Sequence, residues 1–165
     1  MPTCQGTCSV ADGGVPAVHD LCDAAPMDLE RALEFVRPRN KAVLTTIRSD
    51  GRPQLSNVLY AVGDDGTLIF SVTDKRVKTA NMRRDPRVCV HVTDESFWQY
   101  VVLLGQARLG PVTRAVDDEG ADALVEYYRR ANGEHPDWDD YRRAMVAESR
   151  LVAFITPERA YGQLP

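Results

Sequence analysis

The 165-residue sequence lacks the features that would place it in a membrane or outside the cell. It has no run of about 18 apolar residues, so no transmembrane helix is predicted. Its N-terminus has no basic segment followed by an apolar stretch, so we expect no signal peptide. The four cysteines do not have the dense, regular spacing of a disulfide-rich secreted domain. We therefore expect a cytoplasmic protein without membrane association.

Signatures of nucleotide, metal and hydrolytic chemistry are also missing. No G-x-G-x-x-G motif follows a predicted strand, and the sequence contains no P-loop, no H-E-x-x-H motif and no Ser-His-Asp order. A net charge of -4 opposes binding to nucleic acid, although a local basic patch can still bind phosphate. These absences argue against a Rossmann domain, a nucleotide hydrolase and a zinc peptidase, and they leave the catalytic residues unassigned.

The first 26 residues differ in composition from the rest of the chain. They are rich in Gly, Pro, Ala and Asp and have no helical or strand periodicity, which predicts a disordered tail. The alternative is a zinc site formed by Cys4, Cys8, His19 and Cys22, but their spacing contains no C-x2-C pair, so we predict no metal. The ordered domain is expected at residues 27–165.

In that domain, turn and periodicity signals predict antiparallel strands with a few helices. Asp-Gly turns separate the first three predicted strands, at 42–47, 54–62 and 67–73, and further strands are predicted at 87–93, 98–109 and 151–156. Four helices are also predicted. The first follows its cap, Asp28, and ends before Pro38; the second extends from Asp74 to Arg84; the third lies at 117–131; and the fourth, with Asp137 as its cap, lies at 138–147. Helices that fill gaps between sequential strands favour a mainly β, α+β barrel.

Basic residues concentrated around the short second helix are the strongest local signal for a binding site. They are Lys75, Arg76, Lys78, Arg83, Arg84 and Arg87. Arg76 and Lys78 lie in the predicted first turn, where free N–H groups and the helix dipole favour an anion. The alternative is a solvated basic face that Asp74 and Asp85 partly neutralise.

Three segments resemble the pyridoxamine-phosphate-oxidase-like split β-barrels. Residues 76–87, RVKTANMRRDPR, are similar to the phosphate-binding segment of that superfamily. Residues 45–58, TTIRSDGRPQLSNV, and residues 133–141, GEHPDWDDY, resemble the branch that uses the deazaflavin coenzyme F420. The resemblance extends from about residue 27 to residue 161, in order and with few gaps.

The resemblance implies an FMN-binding-type split barrel that forms a homodimer with two cofactor sites at the subunit interface. The implied cofactor-binding residues are Gln54, Leu55, Ser56 and Asn57 along the ring, Ser71 and Val72 beside it, Arg76, Lys78 and Thr79 at the phosphate, and Trp98 and Tyr100 from the partner. Residues 153–165 lack the substrate-binding features of true pyridoxamine-phosphate oxidases, so that activity is not expected.

The activity that the resemblance implies is an F420-dependent reductase, which transfers hydride from reduced F420 to an unsaturated small molecule. FMN in an oxidase or flavin reductase, and a non-catalytic carrier of F420 or FMN, remain alternatives because basic residues suit either phosphate. Tyr60, Tyr100 or solvent could supply a proton. Outside the implied site, we expect His91 to be paired within the fold and Cys89 to be a small buried residue. We expect Trp138, Tyr141 and Met145 to pack in the core and Tyr127 to point away from it.

Overall fold

The computed structural model describes residues 26–165, which form a closed six-stranded antiparallel β-barrel with four helices. The strand order is β1-β2-β3-β6-β5-β4, and β4 pairs with β1 to close the barrel. The strands are β1 (Lys41–Ile47), β2 (Pro53–Val62), β3 (Leu68–Thr73), β4 (Arg87–Thr93), β5 (Tyr100–Leu109) and β6 (Arg150–Gln163), and the helices are α1 (Leu29–Val36), α2 (Val77–Arg84), α3 (Glu119–Asn132) and α4 (Trp138–Ala147). The predicted fold class is confirmed. The predicted tail, except residue 26, and the candidate zinc ligands Cys4, Cys8, His19 and Cys22 lie outside the described residues.

The barrel interior is filled by alternate residues of each strand. Successive side chains of a strand point to opposite faces, and the buried positions follow this period of two. In β3, for example, Leu68, Phe70 and Val72 are buried, whereas the residues between them are half-buried. The intervening residues therefore face the outside of the barrel.

Helix α1 packs into this core. Its N-terminus is capped by Asp28, whose carboxylate accepts from the Arg31 amide at 3.1 Å, and Ala32 and Val36 are fully buried in the barrel cluster. The Tyr60 hydroxyl donates to the Val36 carbonyl at 2.8 Å, and burial raises the pKa of this tyrosine. Tyr60 is therefore enclosed in the barrel and is not available to protonate a substrate.

Helices α3 and α4 cover the outer face of β2, β3 and β6. Leu124 and Val125 of α3 pack with Tyr141 of α4 against Ala61 and Val152, which point outward from the barrel. The caps of both helices are aspartates, Asp118 and Asp137. These packed helices form one rigid wall beside β2 and β3.

Two predicted element boundaries are wrong at their N-terminal ends. Helix α2 begins at Val77 with Arg76 as its N-cap, because the Asp74 carboxylate binds Arg83 at 2.5 Å instead of capping the helix. Strand β5 begins at Tyr100 instead of residue 98, because the preceding residues form a turn in which Asp94 accepts from the Ser96 amide at 3.0 Å.

The last strand extends well beyond its predicted end at residue 156. A proline has no N–H and normally interrupts a ladder, but here Pro157 lies opposite Gly105 beside a bulge in β6, where Glu158 is the extra residue. A Cβ at Gly105 would lie 2.2 Å from the Thr156 carbonyl oxygen, so only glycine allows this close approach. The bulge lets β6 continue along β5 to Gln163.

Candidate cofactor-binding groove

A groove of about 680 Å³ runs between β2, β3, the beginning of α2 and the wall of α3 and α4. It is lined by residues from each of these elements: Gln54, Ser56, Asn57, Val58, Leu59, Ser71, Val72, Thr73, Arg76, Val77, Lys78, Tyr127, Tyr128, Asn132, Tyr141, Met145 and Arg150. The groove is therefore assembled from segments that are far apart in the sequence.

The structure brings most of the sequence-predicted site residues into this groove. Those that line it are Gln54, Ser56, Asn57, Ser71, Val72, Arg76 and Lys78. Leu55, Thr79, Trp98 and Tyr100 are not among its lining residues. Leu55 and Trp98 are 61% and 74% exposed elsewhere on the surface, and the ring of Tyr100 lies 5.5 Å from that of His91.

Thr79 is fully buried, and its hydroxyl donates to the Thr73 carbonyl at 2.8 Å. This bond joins the first turn of α2 to the end of β3. In the structure Thr79 thus holds the segment that carries Arg76 and Lys78.

A cationic corner, defined here as Arg76, Lys78 and Arg150, forms one end of the groove. The three cations line the same groove, where burial, and then the charges of Arg76 and Arg150, lower the pKa of Lys78. Arg150 donates to the Ser71 hydroxyl at 3.0 Å and to the Glu148 carboxylate at 2.7 Å. Such a concentration of positive charge is suited to an anion.

The backbone at this corner adds to the same preference. Within residues 26–165, no side chain caps the N-terminus of α2. The first N–H groups of a helix have no partner inside the helix and carry its positive partial charge. The uncapped end of α2 and the cationic corner therefore favour the same kind of ligand, a phosphate or carboxylate.

The other arginines of the predicted cluster have different positions. Arg83 pairs with Asp74 and Arg87 pairs with Asp85 at 2.7 Å. Arg84 donates to the Ile47 carbonyl and, at 3.4 Å, to Asn81. These side chains fasten α2 to its neighbours and are not part of the groove.

Aromatic residues form another wall of the groove. Tyr127, Tyr128 and Tyr141 lie there, with the Tyr128 ring 5.0 Å from that of Tyr141. The Tyr127 hydroxyl donates to the Leu59 carbonyl at 3.2 Å, and the Tyr141 hydroxyl donates to the Leu124 carbonyl at 3.0 Å. Burial is the main cause that raises the pKa of Tyr141, to about 12. Both hydroxyls are thus held by backbone carbonyls, and the rings present a rigid apolar surface.

The expectation that Tyr127 points away from the core is wrong, because its ring packs with Leu124 under the outer face of β2. Tyr141 and Met145 are buried as expected, while Trp138 is only partly buried and contacts His135 and Tyr128. Arg150 had no signal in the sequence, since it stands alone at the beginning of β6.

A second groove of about 1040 Å³ lies on β1, β2 and β4, with His91 among its lining residues. It contains both Arg39 and Lys41 and the acidic Asp94 and Glu95, so its charge is mixed. The Cys89 side chain on this face is half-buried, in contrast to the expected buried position, and burial raises the pKa of its thiol. The smaller groove is the better candidate for a phosphate-bearing ligand because its charged end is cationic.

Among the described residues, no group of three or more His, Cys, Asp and Glu side chains is placed to hold a metal ion. No helix in the same part of the chain is long and apolar enough to cross a bilayer.

The sequence pattern of the family described as pyridoxamine 5'-phosphate oxidase matches residues 29–163. The chain belongs to this family. Among solved structures of the same fold, a conserved hypothetical protein from Mycobacterium tuberculosis is 25% identical, with a TM-score of 0.63 over 84% of this chain and 89% of that one. An F420 reductase is 26% identical, with a TM-score of 0.59 over 84% of this chain and 100% of that one.

Other structural neighbours of this pyridoxamine 5'-phosphate oxidase family member have different functions. The heme storage protein HutZ from Vibrio cholerae is 16% identical, with a TM-score of 0.59 over 82% of this chain and 95% of that one. At such low identity the likeness shows the fold alone. Family membership supports a flavin or a related cofactor. The structural neighbours do not decide which cofactor this is, so its identity has to be argued from the chemistry of the groove.

Proposed function

We propose that this protein is an F420-dependent reductase that binds the deazaflavin in the groove between β2, β3 and α2. The observation that carries the proposal is the cationic corner of Arg76, Lys78 and Arg150 at one end of a groove with an aromatic wall. The F420 reductase that is 26% identical over 84% of this chain supports F420 as the cofactor. When bound, F420 supplies the hydride-carrying ring, and the protein supplies position and electrostatics.

The residues of the groove fit such a cofactor. The three cations would hold the phosphate through charge-assisted hydrogen bonds, together with the N–H groups at the beginning of α2. Gln54, Ser56 and Asn57 of β2 present amide and hydroxyl groups along the groove, which suit the polar edge of a flavin-type ring. The tyrosines exclude water from that side, which strengthens the electrostatic interactions in the groove.

We further propose that the protein is a homodimer. In support, α3 and α4 pack on β2 at Ala61 and leave Leu55, nearer the beginning of the strand, 61% exposed. Trp98 is also exposed and does not line the groove of its own chain, as expected of a side chain that reaches the groove of a partner. Sedimentation of the ligand-free protein should give a dimer, and Leu55→Glu, which changes a residue outside the groove lining, should give a monomer. Full cofactor affinity in that monomer would contradict a site shared between subunits.

The decisive experiment for the cofactor is purification from a host that makes both F420 and FMN, followed by mass spectrometry of what co-elutes. We expect F420. The reduced cofactor should then be oxidised when unsaturated acceptors are added, which is followed by its absorbance. The cationic corner suits the phosphate of FMN equally well, so FMN as the only bound cofactor would favour a flavin enzyme. Tight F420 binding without turnover on any acceptor would favour a carrier.

A further inference from the structure

A chain of hydrogen bonds connects α2 to the groove by way of β1 and β2. Arg84 donates to Asn81 at 3.4 Å, and Asn81 contacts the Thr46 hydroxyl at 3.0 Å. Thr46 contacts the Gln54 side chain at 3.1 Å, and Gln54 in turn contacts the Ser56 hydroxyl at 2.7 Å. Asn81 and Thr46 are buried, so water does not compete for these bonds. We infer that this chain has one direction and makes the Ser56 hydroxyl a hydrogen-bond donor into the groove.

The direction is determined first at Gln54. One end of its amide lies 3.0 Å from the Leu55 carbonyl oxygen, which can only accept. That end must therefore be the Nε2 group, because an Oε1 atom in its place would put two acceptors in contact. The opposite end, Oε1, then faces Thr46 and can only accept. The backbone of β2 thus fixes the orientation of the Gln54 amide.

The orientation of the Gln54 amide determines how the Thr46 hydroxyl bonds. Its hydroxyl has one hydrogen, which it must donate to the Gln54 Oε1 atom, so it can only accept from Asn81. The Asn81 Nδ2 group is then the donor to Thr46. At the far end, the Arg84 guanidinium can only donate and faces the Asn81 Oδ1 atom. Both ends of the chain therefore require the same direction.

Ser56 is the last member, and its oxygen accepts from the Gln54 Nε2 group. Its own hydrogen is not used in this chain, and the side chain lines the groove. The free hydrogen of Ser56 therefore favours an acceptor atom of the ligand beside it, such as a carbonyl oxygen or an unprotonated ring nitrogen. Thr46 and Asn81, which do not line the groove, act as positioning residues. The identity of the ligand rests on the function proposed above, whereas the direction of the chain does not.

The chain itself is tested in the ligand-free protein. Thr46→Val keeps the shape of the side chain but removes the hydroxyl, so the side-chain amide signals of Gln54 and Asn81 should shift in a ¹⁵N–¹H spectrum. Thr46→Ser keeps the hydroxyl and should leave them near their parent positions. Thr113→Val is the matched control, because the Thr113 hydroxyl is buried without a partner among the described residues. Unchanged Gln54 signals in Thr46→Val would overturn the inference.

The role of Ser56 is tested by fluorescence titration with FMN and with F420. Ser56→Ala should weaken binding about tenfold, the scale of one hydrogen bond. If Thr46 acts through Ser56, the double variant Thr46→Val with Ser56→Ala should bind the cofactor no more weakly than Ser56→Ala alone. If the affinity losses of the two single variants multiply in the double variant, or if Ser56→Ala binds as the parent does, Ser56 is not the donor. If the parent binds neither cofactor, the proposed function fails, and the spectra of the ligand-free protein still decide the direction of the chain.

Discussion

The two ends of α2 carry similar basic side chains in opposite surroundings. At its C-terminal end, Arg83 and Arg87 pair with aspartates, and Arg84 binds a backbone carbonyl. At its N-terminal end, Arg76 and Lys78 face the groove, and none of the ion pairs in residues 26–165 includes either of them. The interpretation as a partly neutralised basic face therefore holds at the C-terminal end, whereas the anion site stays a prediction for the N-terminal end. A charge cluster indicates a binding site where its charges lack protein partners.

The largest effect on cofactor binding is expected from substitutions at the N-terminal end of α2. Arg76→Ala and Lys78→Ala should each weaken cofactor binding by about 1–3 kcal/mol, the scale of a lost charge-assisted hydrogen bond, without unfolding the protein. Arg83→Ala is the control from the other end and should bind as the parent does. Fluorescence titration with F420 and FMN measures the difference. Equal affinities for all three variants would remove the distinction between the two ends.

The pH dependence of binding should separate Lys78 from the arginines. Its pKa in the ligand-free protein is below the usual 10.5 because of burial and of Arg76 and Arg150. A bound anion stabilises the ammonium and raises this pKa, so affinity is full below the ligand-free pKa and falls as the pH rises through it. Lys78→Arg should bind with a flat profile over that range, because arginine stays charged. Parent titrations that are flat up to pH 10.5 would contradict this role.

Thr79 tests whether the groove depends on how α2 is attached. Thr79→Val removes one of two donors to the Thr73 carbonyl, which still accepts from the Arg76 amide at 3.2 Å, and should lower the free energy of unfolding by about 0.5–1.5 kcal/mol. Urea unfolding measures this loss. Thr113→Val removes a buried hydroxyl that has no bond in the described residues and should cause no such loss. Weakened binding with parent stability in Thr79→Val would instead indicate that Thr79 contacts the ligand.

The smallest effect is expected at the exposed C-terminal pair. Hydrogen bonds from Arg87 are the main cause that lowers the pKa of Asp85 to about 2. Arg87→Ala should bring this pKa back toward 3.8, which a carbon-detected NMR titration follows. Since exposed ion pairs contribute about 0–1 kcal/mol, stability and cofactor affinity should remain near those of the parent. A clear loss of cofactor affinity in Arg87→Ala would show that the binding site includes the C-terminal end of α2.

Local patterns were sufficient to predict the barrel and part of the groove. The Asp-Gly turns place Gly51 and Gly66 at φ of 82° and 83°, which residues other than glycine rarely adopt, so the first strands could be predicted correctly. Arg76 and Lys78 could be found because they lie in one short segment. Arg150 and Tyr127 could not, because they join the groove only through the pairing of β6 with β3 and the packing of α3 on β2.

Strand β6 also determines when the molecule can become complete during its synthesis. It pairs with β3 on one side and with β5 on the other, so both strands keep an open edge until residues 150–163 leave the ribosome. Open edges of apolar strands recruit other chains, and long-range pairing is slow. A chain that stops before Arg150 would lack a cation of the groove and would expose two edges at once. Premature termination should therefore give aggregates that proteases remove, instead of a folded protein with a weaker binding site.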